Sequence, residues 1–149
     1  MGQSLSKNYI HLVVGTKHRV GYITPLIATK LHSYLSGILS NIESPAMAIN
    51  SHYDHIHILF KLSKNMALAK AVEELKTQSS KWMKTQGVKD FYWQIGYGAF
   101  SVSYYKVDVI KKQIENQQIH HQNKTYKFEM ENFMKLYNIT EYNPEYFWR

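Results

Sequence analysis

The sequence predicts an α+β domain with a ferredoxin-like β-α-β-β-α-β core: an antiparallel sheet, helices on one face, and one further helix on the C-terminal side. Three observations carry that prediction. The chain has 149 residues, enough for one domain spanning 1–149 and too few for a comfortable second. Short β-branched runs alternate with longer segments whose apolar residues recur at helical spacing. Two of the strand-like runs are separated by only a short polar turn, which predicts a hairpin inside the split β-α-β pattern.

Taken in order, Tyr9 to Thr16 (YIHLVVGT) reads as a first strand, followed by a basic loop at Lys17-His18-Arg19. Thr24-Pro25 is a helix start, with Thr as N-cap and Pro in the first turn. Ile27, Leu31, Tyr34, Leu35, Ile38 and Ile42 give that helix its inner stripe, and Ser44-Pro45 stops it. Ala46 to Ser51 is the second strand, His52-Tyr53-Asp54 the turn, and His55 to Leu62 (HIHILFKL) the third strand. Asn65 is the expected cap of a second helix with Leu68, Val72, Leu75, Ser79 and Trp82 inside, ending before Gly87. Ala99 to Tyr104 is a fourth strand, Lys106 to His121 a third helix, and Phe128 to Tyr137 a fourth periodic stretch before an aromatic tail. No internal repeat, low-complexity tract or linker interrupts this order.

The composition narrows the chemistry. There is no cysteine, so disulfides and thiolate–zinc sites are excluded, and any metal must be held by imidazole, carboxylate or amide groups. No apolar run is long enough to span a bilayer, and the first ten residues hold no signal-peptide core. No membrane association and a cytoplasmic location are therefore expected. The net charge of +7 favours a polyanion partner, with nucleic acid the commonest. Twelve tyrosines and three tryptophans supply rings on which bases stack.

One constellation carries reactive chemistry. His55 and His57 are two apart on a strand, so both imidazoles face one side while Ile56 and Ile58 face the other. Two neutral imidazoles at this spacing grip a divalent ion. The triplet alone also reads as an ordinary polar strand face. On the third helix, Gln113, Gln117 and His120 share one stripe, so that the Gln117 amide oxygen would complete a His–His–amide site. The same segment also reads as a solvated helix end, and periodicity does not choose between the two. Such a site leaves ligand positions open. Magnesium or manganese would suit it, and the imidazole pair favours manganese or another transition ion.

The run Ser51-His52-Tyr53-Asp54-His55-Ile56-His57-Ile58-Leu59 resembles the HUH segment of the single-tyrosine transposases of small bacterial insertion sequences, a family that includes the repeat-associated tyrosine transposases. Tyr9 to Arg19, Leu75 to Trp82, Trp93 to Ser103 and Glu115 to His121 are similar to other segments of that family, in the same order. The resemblance implies a homodimer that binds single-stranded or hairpin DNA and carries out metal-dependent cleavage and strand transfer in DNA transposition. By the same resemblance His55, His57 and Gln117 match the metal ligands, with magnesium or manganese as the ion, and the C-terminal helix is the catalytic one.

The nucleophile departs from the pattern. The family tyrosine sits four residues before the ligand glutamine, and here that position is Gln113. An amide forms no durable phosphate ester. Tyr104, Tyr105 and Tyr126 are the candidates to substitute. Tyr53 also stands where the family usually has proline. Lys17, His18 and Arg19, with Lys76 and Lys81, are the expected phosphate contacts. Two other functions fit the same residues: a hairpin-DNA-binding module that does not cleave, and a ferredoxin-like RNA-binding domain.

Overall fold

The computed structural model describes residues 2–116 and 125–149. Its elements follow the predicted order: β1 (Asn8–Gly15), α1 (Pro25–Asn41), β2 (Ala46–His52), β3 (His55–Leu62), α2 (Leu68–Thr85), β4 (Gly98–Val102), α3 (Val107–Glu115) and α4 (Tyr126–Leu136), with a terminal helical turn at Pro144–Phe147. The four strands form one antiparallel sheet in the order β2-β3-β1-β4. This is the ferredoxin-like arrangement, in which β1 and β3 lie side by side at the centre.

Alternation along the two central strands divides the sheet into two faces. Ile10, Leu12 and Val14 of β1, with Ile56, Ile58 and Phe60 of β3, point to one side. There they meet Leu31, Leu35, Ile38 and Leu39 of α1 and Ala71, Val72, Leu75 and Met83 of α2. This is the main core, and it agrees with the predicted inward side of the HIHILFKL strand. The tertiary fold brings Met83 into the α2 stripe alongside Ser79, while Trp82 is only partly buried and stacks on Tyr34.

Tyr9, Val13, Leu59, Phe100 and Val102 point to the other side, where α3 contributes Val107 and Ile114 and α4 contributes Tyr126, Met130 and Met134. The expectation of helices on one face thus holds for α1 and α2, while the C-terminal helices cover the second face. An RNA-binding domain of this topology reads bases on an open sheet face. Here α3 and α4 cover that face, so the RNA-binding alternative loses its platform.

Three local expectations change. Asn65 lies in the turn before α2, and Ala67 occupies the cap position without a side-chain bond. Thr24 stands at the N-cap of α1 but makes no capping hydrogen bond; Pro25 in the first turn sets the helix start. The fourth helix begins earlier than its apolar periodicity indicates, because the Thr125 hydroxyl accepts from Phe128 N at 3.1 Å and caps it. Gly87 follows α2 with a positive φ of 93°, a conformation that favours glycine.

Candidate metal centre and nucleic-acid interface

His55 and His57 sit at the start of β3, opposite Gly15 and Val13 of β1. Their odd-numbered positions place them on the α3/α4 face, as strand alternation requires. Both rings are buried, at 0% and 3% exposure. They lie beneath α4 and away from the main core.

Each imidazole is held at Nδ1 and presents Nε2 to the same carboxylate. His55 Nδ1 bonds Asp54 Oδ1 at 2.7 Å. His57 Nδ1 meets His11 Nε2 at 2.9 Å. His55 Nε2 lies 3.5 Å from Glu129 Oε2, and His57 Nε2 contacts Glu129 Oε1. One ligand atom from each of His55, His57 and Glu129 lies within 4.8 Å of the others. Two imidazole nitrogens and one carboxylate form a donor set suited to a divalent transition ion, so the residues present fit a metal.

The electrostatics are mutually supporting. Burial pushes the Glu129 carboxyl up, but hydrogen bonds from His55 and His57 outweigh it and hold the group well below the usual carboxylate range. Burial pushes His55 down, and the Asp54 and Glu129 carboxylates more than reverse this, leaving it raised. For His57 burial prevails over Glu129 and the ring is lowered. His11 is pushed down to about 3, chiefly by burial and then by His57, and is neutral.

Glu129, His11 and Asp54 were not among the residues that sequence reasoning selected. A signal existed for two of them. Glu129 falls among Tyr126, Met130, Phe133 and Met134 on the inner stripe of α4, and His11 falls between Tyr9 and Val13 on a buried strand face. A polar residue inside an apolar stripe needs a partner.

The expected third ligand, Gln117, lies outside the described residues, as do His120 and His121. The described part of α3 ends at Glu115, where the Asn50 amide donates to Ile114 O at 3.0 Å and Glu115 O at 3.2 Å. Asn50 pairs with His57 across β2 and β3, so the end of α3 arrives at the level of the imidazoles. Gln113 is exposed.

The tyrosines named as substitutes are placed differently from one another. Tyr104 and Tyr105 are exposed on the turn before α3. That turn follows Val102, which pairs with Tyr9, whereas His57 pairs with Val13. Four strand residues separate those levels, roughly 13 Å along the sheet. Tyr126 stacks on His55, with centroids 4.5 Å apart and planes at 14°. Its hydroxyl, however, donates to Gln94 Oε1 at 2.5 Å, and burial raises its pKa above the ordinary phenol value. The same Gln94 oxygen accepts from Gly15 N at 2.7 Å, and its amide donates to Phe147 O at 2.9 Å. Gly15 leaves room for this arrangement: a Cβ there would collide with the Tyr126 ring.

The basic loop borders the imidazoles. Thr16 N donates to Asp54 O at 2.8 Å, which ties the loop to the residue before His55. Lys17, His18 and Arg19 are exposed on a single 3-10 turn, in which His18 and Arg19 take left-handed φ values of 57° and 58°. Lys17 lies over the Tyr92 ring at 5.6 Å and Arg19 over Trp148 at 5.3 Å, with Lys84 4.2 Å from the Tyr92 centroid. Lys81 is exposed on α2, across the sheet from the imidazoles. Lys76 has a different role from the one its charge suggests. Its ammonium donates to the carbonyls of Gln94, Ile95 and Gly96 at 2.7, 2.8 and 3.1 Å, and burial pushes its pKa down to about 8. It pins the turn that carries Gln94 through these three backbone carbonyls.

No helix among the described residues is long and apolar enough to cross a membrane.

Comparisons with known proteins agree with this architecture. A family profile described as "Transposase IS200 like" matches residues 4–117. A crystal structure assigned as a transposase from Deinococcus radiodurans R1 is similar over 78% of this chain and 96% of that one, with 23% identity and a TM-score of 0.63. The structure of a REP-associated tyrosine transposase bound to a REP hairpin is similar over 82% of this chain and 73% of that one, with 14% identity and a TM-score of 0.61. No curated protein matches the chain. With the profile spanning most of the sequence, the chain belongs to the IS200-like transposase family.

Proposed function

We propose that this chain binds single-stranded or hairpin DNA, holds a divalent ion at His55 and His57, and does not itself form a phosphotyrosine link. The observation that carries the reading is the convergence of both Nε2 atoms on one carboxylate, beside a basic loop, with no free phenol hydroxyl among the described residues at the point of convergence. The hairpin-bound neighbour of the same fold supports a DNA partner.

His55, His57 and Glu129 would hold the ion, magnesium or manganese, with Gln117 as the further ligand that the family pattern implies. When bound, a divalent ion supplies charge that polarises a phosphate oxygen. Every other role falls to the chain. Asp54 fixes the ring of His55 by accepting from Nδ1. Lys17 and Arg19 contact phosphates next to the ion, and Tyr92 and Trp148 offer ring faces to unpaired bases. Gln113 occupies the nucleophile position with an amide that cannot attack, and the Tyr126 hydroxyl is engaged by Gln94. The chain works as a homodimer in the cytoplasm on this reading, as its family pattern implies.

The test is incubation of labelled hairpin single strands with the native chain and manganese, followed by denaturing electrophoresis, with Gln113→Tyr in parallel. The native chain should shift the hairpin in a native gel yet yield no covalent adduct, and Gln113→Tyr should yield one. An adduct formed by the native chain would overturn the non-cleaving part, and peptide mapping would then show whether Tyr126, Tyr104 or Tyr105 carries it. Binding should weaken steeply between low and moderate salt, and Lys17→Ala with Arg19→Ala should flatten that slope by about one unit per lost contact.

A further inference from the structure

The two imidazoles of the proposed metal centre are supported unequally. His55 Nδ1 faces the Asp54 carboxylate, which only accepts, so the proton of a neutral His55 is fixed on Nδ1 and Nε2 keeps its lone pair. His57 Nδ1 faces a second imidazole, His11, which both donates and accepts.

His11 sits deep in the sheet, at 2% exposure, paired with Leu59 on one side and Phe100 on the other. The ring of Phe133 from α4 meets it edge-on at 5.2 Å and 89°. Among the described residues its Nδ1 has no hydrogen-bond partner, so its one polar contact is His57. A buried neutral His11 has a single N–H. Two arrangements satisfy the 2.9 Å contact. In one, His11 Nε2–H donates to His57 Nδ1, and the His57 proton sits on Nε2, against Glu129. In the other, His57 Nδ1–H donates to His11 Nε2, which frees the His57 Nε2 lone pair and leaves the His11 proton on Nδ1.

We propose that His11 is the positioning residue for His57, fixing its ring orientation and accepting its Nδ1 proton when Nε2 is called on as a ligand, thereby governing how readily His57 Nε2 accepts a divalent ion. This rests on the reading of His55, His57 and Glu129 as a metal centre. Without an ion, the nearness of Glu129 to Nε2 selects the first arrangement. An ion at Nε2 requires the second. His11 therefore serves as donor in one state and acceptor in the other, which a carboxylate such as Asp54 could not do.

The test compares the native chain with His11→Phe and His11→Gln. Phenylalanine fills much of the space without a polar atom, and glutamine supplies both a donor and an acceptor. Manganese alone is titrated calorimetrically, and histidine nitrogen tautomers are read by long-range nitrogen–proton NMR on the metal-free chain. Thermal melting checks that each variant is folded. His11→Phe should bind manganese roughly 10- to 100-fold more weakly, the usual consequence of losing the group behind a metal-bound histidine. His11→Gln should stay within a few-fold of the native chain. The metal-free native spectrum should show His57 protonated at Nε2 with its Nδ1 shifted by the hydrogen bond from His11, and His11→Phe should lose that Nδ1 shift while Glu129 keeps the proton at Nε2. A His11→Phe chain with native manganese affinity and an unchanged His57 spectrum would reduce His11 to packing. If the native chain takes up no manganese at all, the metal-centre reading fails, while the metal-free spectra still decide whether His11 hydrogen-bonds and orients His57.

Discussion

The face of the sheet under α1 and α2 is closed by Ile10, Leu12, Val14, Ile56, Ile58 and Phe60, with aliphatic and aromatic partners from both helices. The face under α3 and α4 uses the same two central strands but sets His11, His55 and His57 among Val13, Leu59 and Phe100. The first face needs only volume and dryness. The second must also partner buried polar groups: Asp54 and Glu129 meet the imidazoles of His55 and His57, and Gln94 takes the Tyr126 hydroxyl and Gly15 N. Stability therefore concentrates on one side of the sheet and chemistry on the other, with successive residues of the same strands serving the two faces in turn.

Substitutions can separate the two faces. The largest loss should come from Phe60→Ala, since Phe60 is fully buried in the main core; about 3–5 kcal/mol is expected, measured by denaturant unfolding. A loss well under that range would mean that the helical layer does not dominate stability. Gly15→Ala should act on the other face alone. The added Cβ meets the Tyr126 ring and the Gln94 oxygen, both tethered, so α4 should loosen at a cost of about 1–3 kcal/mol. Trp148 meets the Tyr126 ring edge-on at 5.4 Å, so its fluorescence should report the change while far-UV signal from α1 and α2 persists. Simultaneous loss of both signals would show that the two faces are one cooperative unit.

Acidity should discriminate more gently. Glu129 is held below the ordinary carboxylate range, so its contribution to α4 docking is complete above about pH 4.3 and fades as pH falls through its folded value. His55 is raised, so its contribution is complete below about pH 6.5 and fades as pH rises through its folded value. Docking of α4 in the metal-free chain should be firmest between those limits, read by Trp148 fluorescence, and Glu129→Gln should flatten the profile. An identical profile in that variant would remove Glu129 from the account. The smallest effect belongs to Lys81→Ala. This exposed α2 residue lies across the sheet from the imidazoles, so stability should change by less than about 0.5 kcal/mol. Hairpin affinity should fall less than with Arg19→Ala, and an equal fall would extend the DNA path around to the α2 side.

Much of this was legible in the residues. Alternation in HIHILFKL placed both imidazoles on one side and Ile56 and Ile58 on the other, because a strand allows no other outcome. Helix positions were also readable, since Leu31, Leu35 and Ile38 recur at a period only a helix presents to one side. The setting of Lys76 was not legible, because a charge in sequence says nothing of the three carbonyls that meet its ammonium once the 94–96 turn folds over α2. Glu129 was missed for a related reason: its partners are more than seventy residues away along the chain.

The sequence by itself determined the strand and helix order, the placing of His55 and His57 on one strand face, and the basic loop at Lys17 to Arg19. These depend on local periodicity and residue chemistry, which the chain carries at every point. Only the tertiary structure decided that α4 closes the second face, that Glu129 rather than solvent meets the two Nε2 atoms, and that His11 stands behind His57. Those contacts join β1, β3 and α4 across long stretches of chain, and packing alone selects among the many partners that each buried polar group has to find.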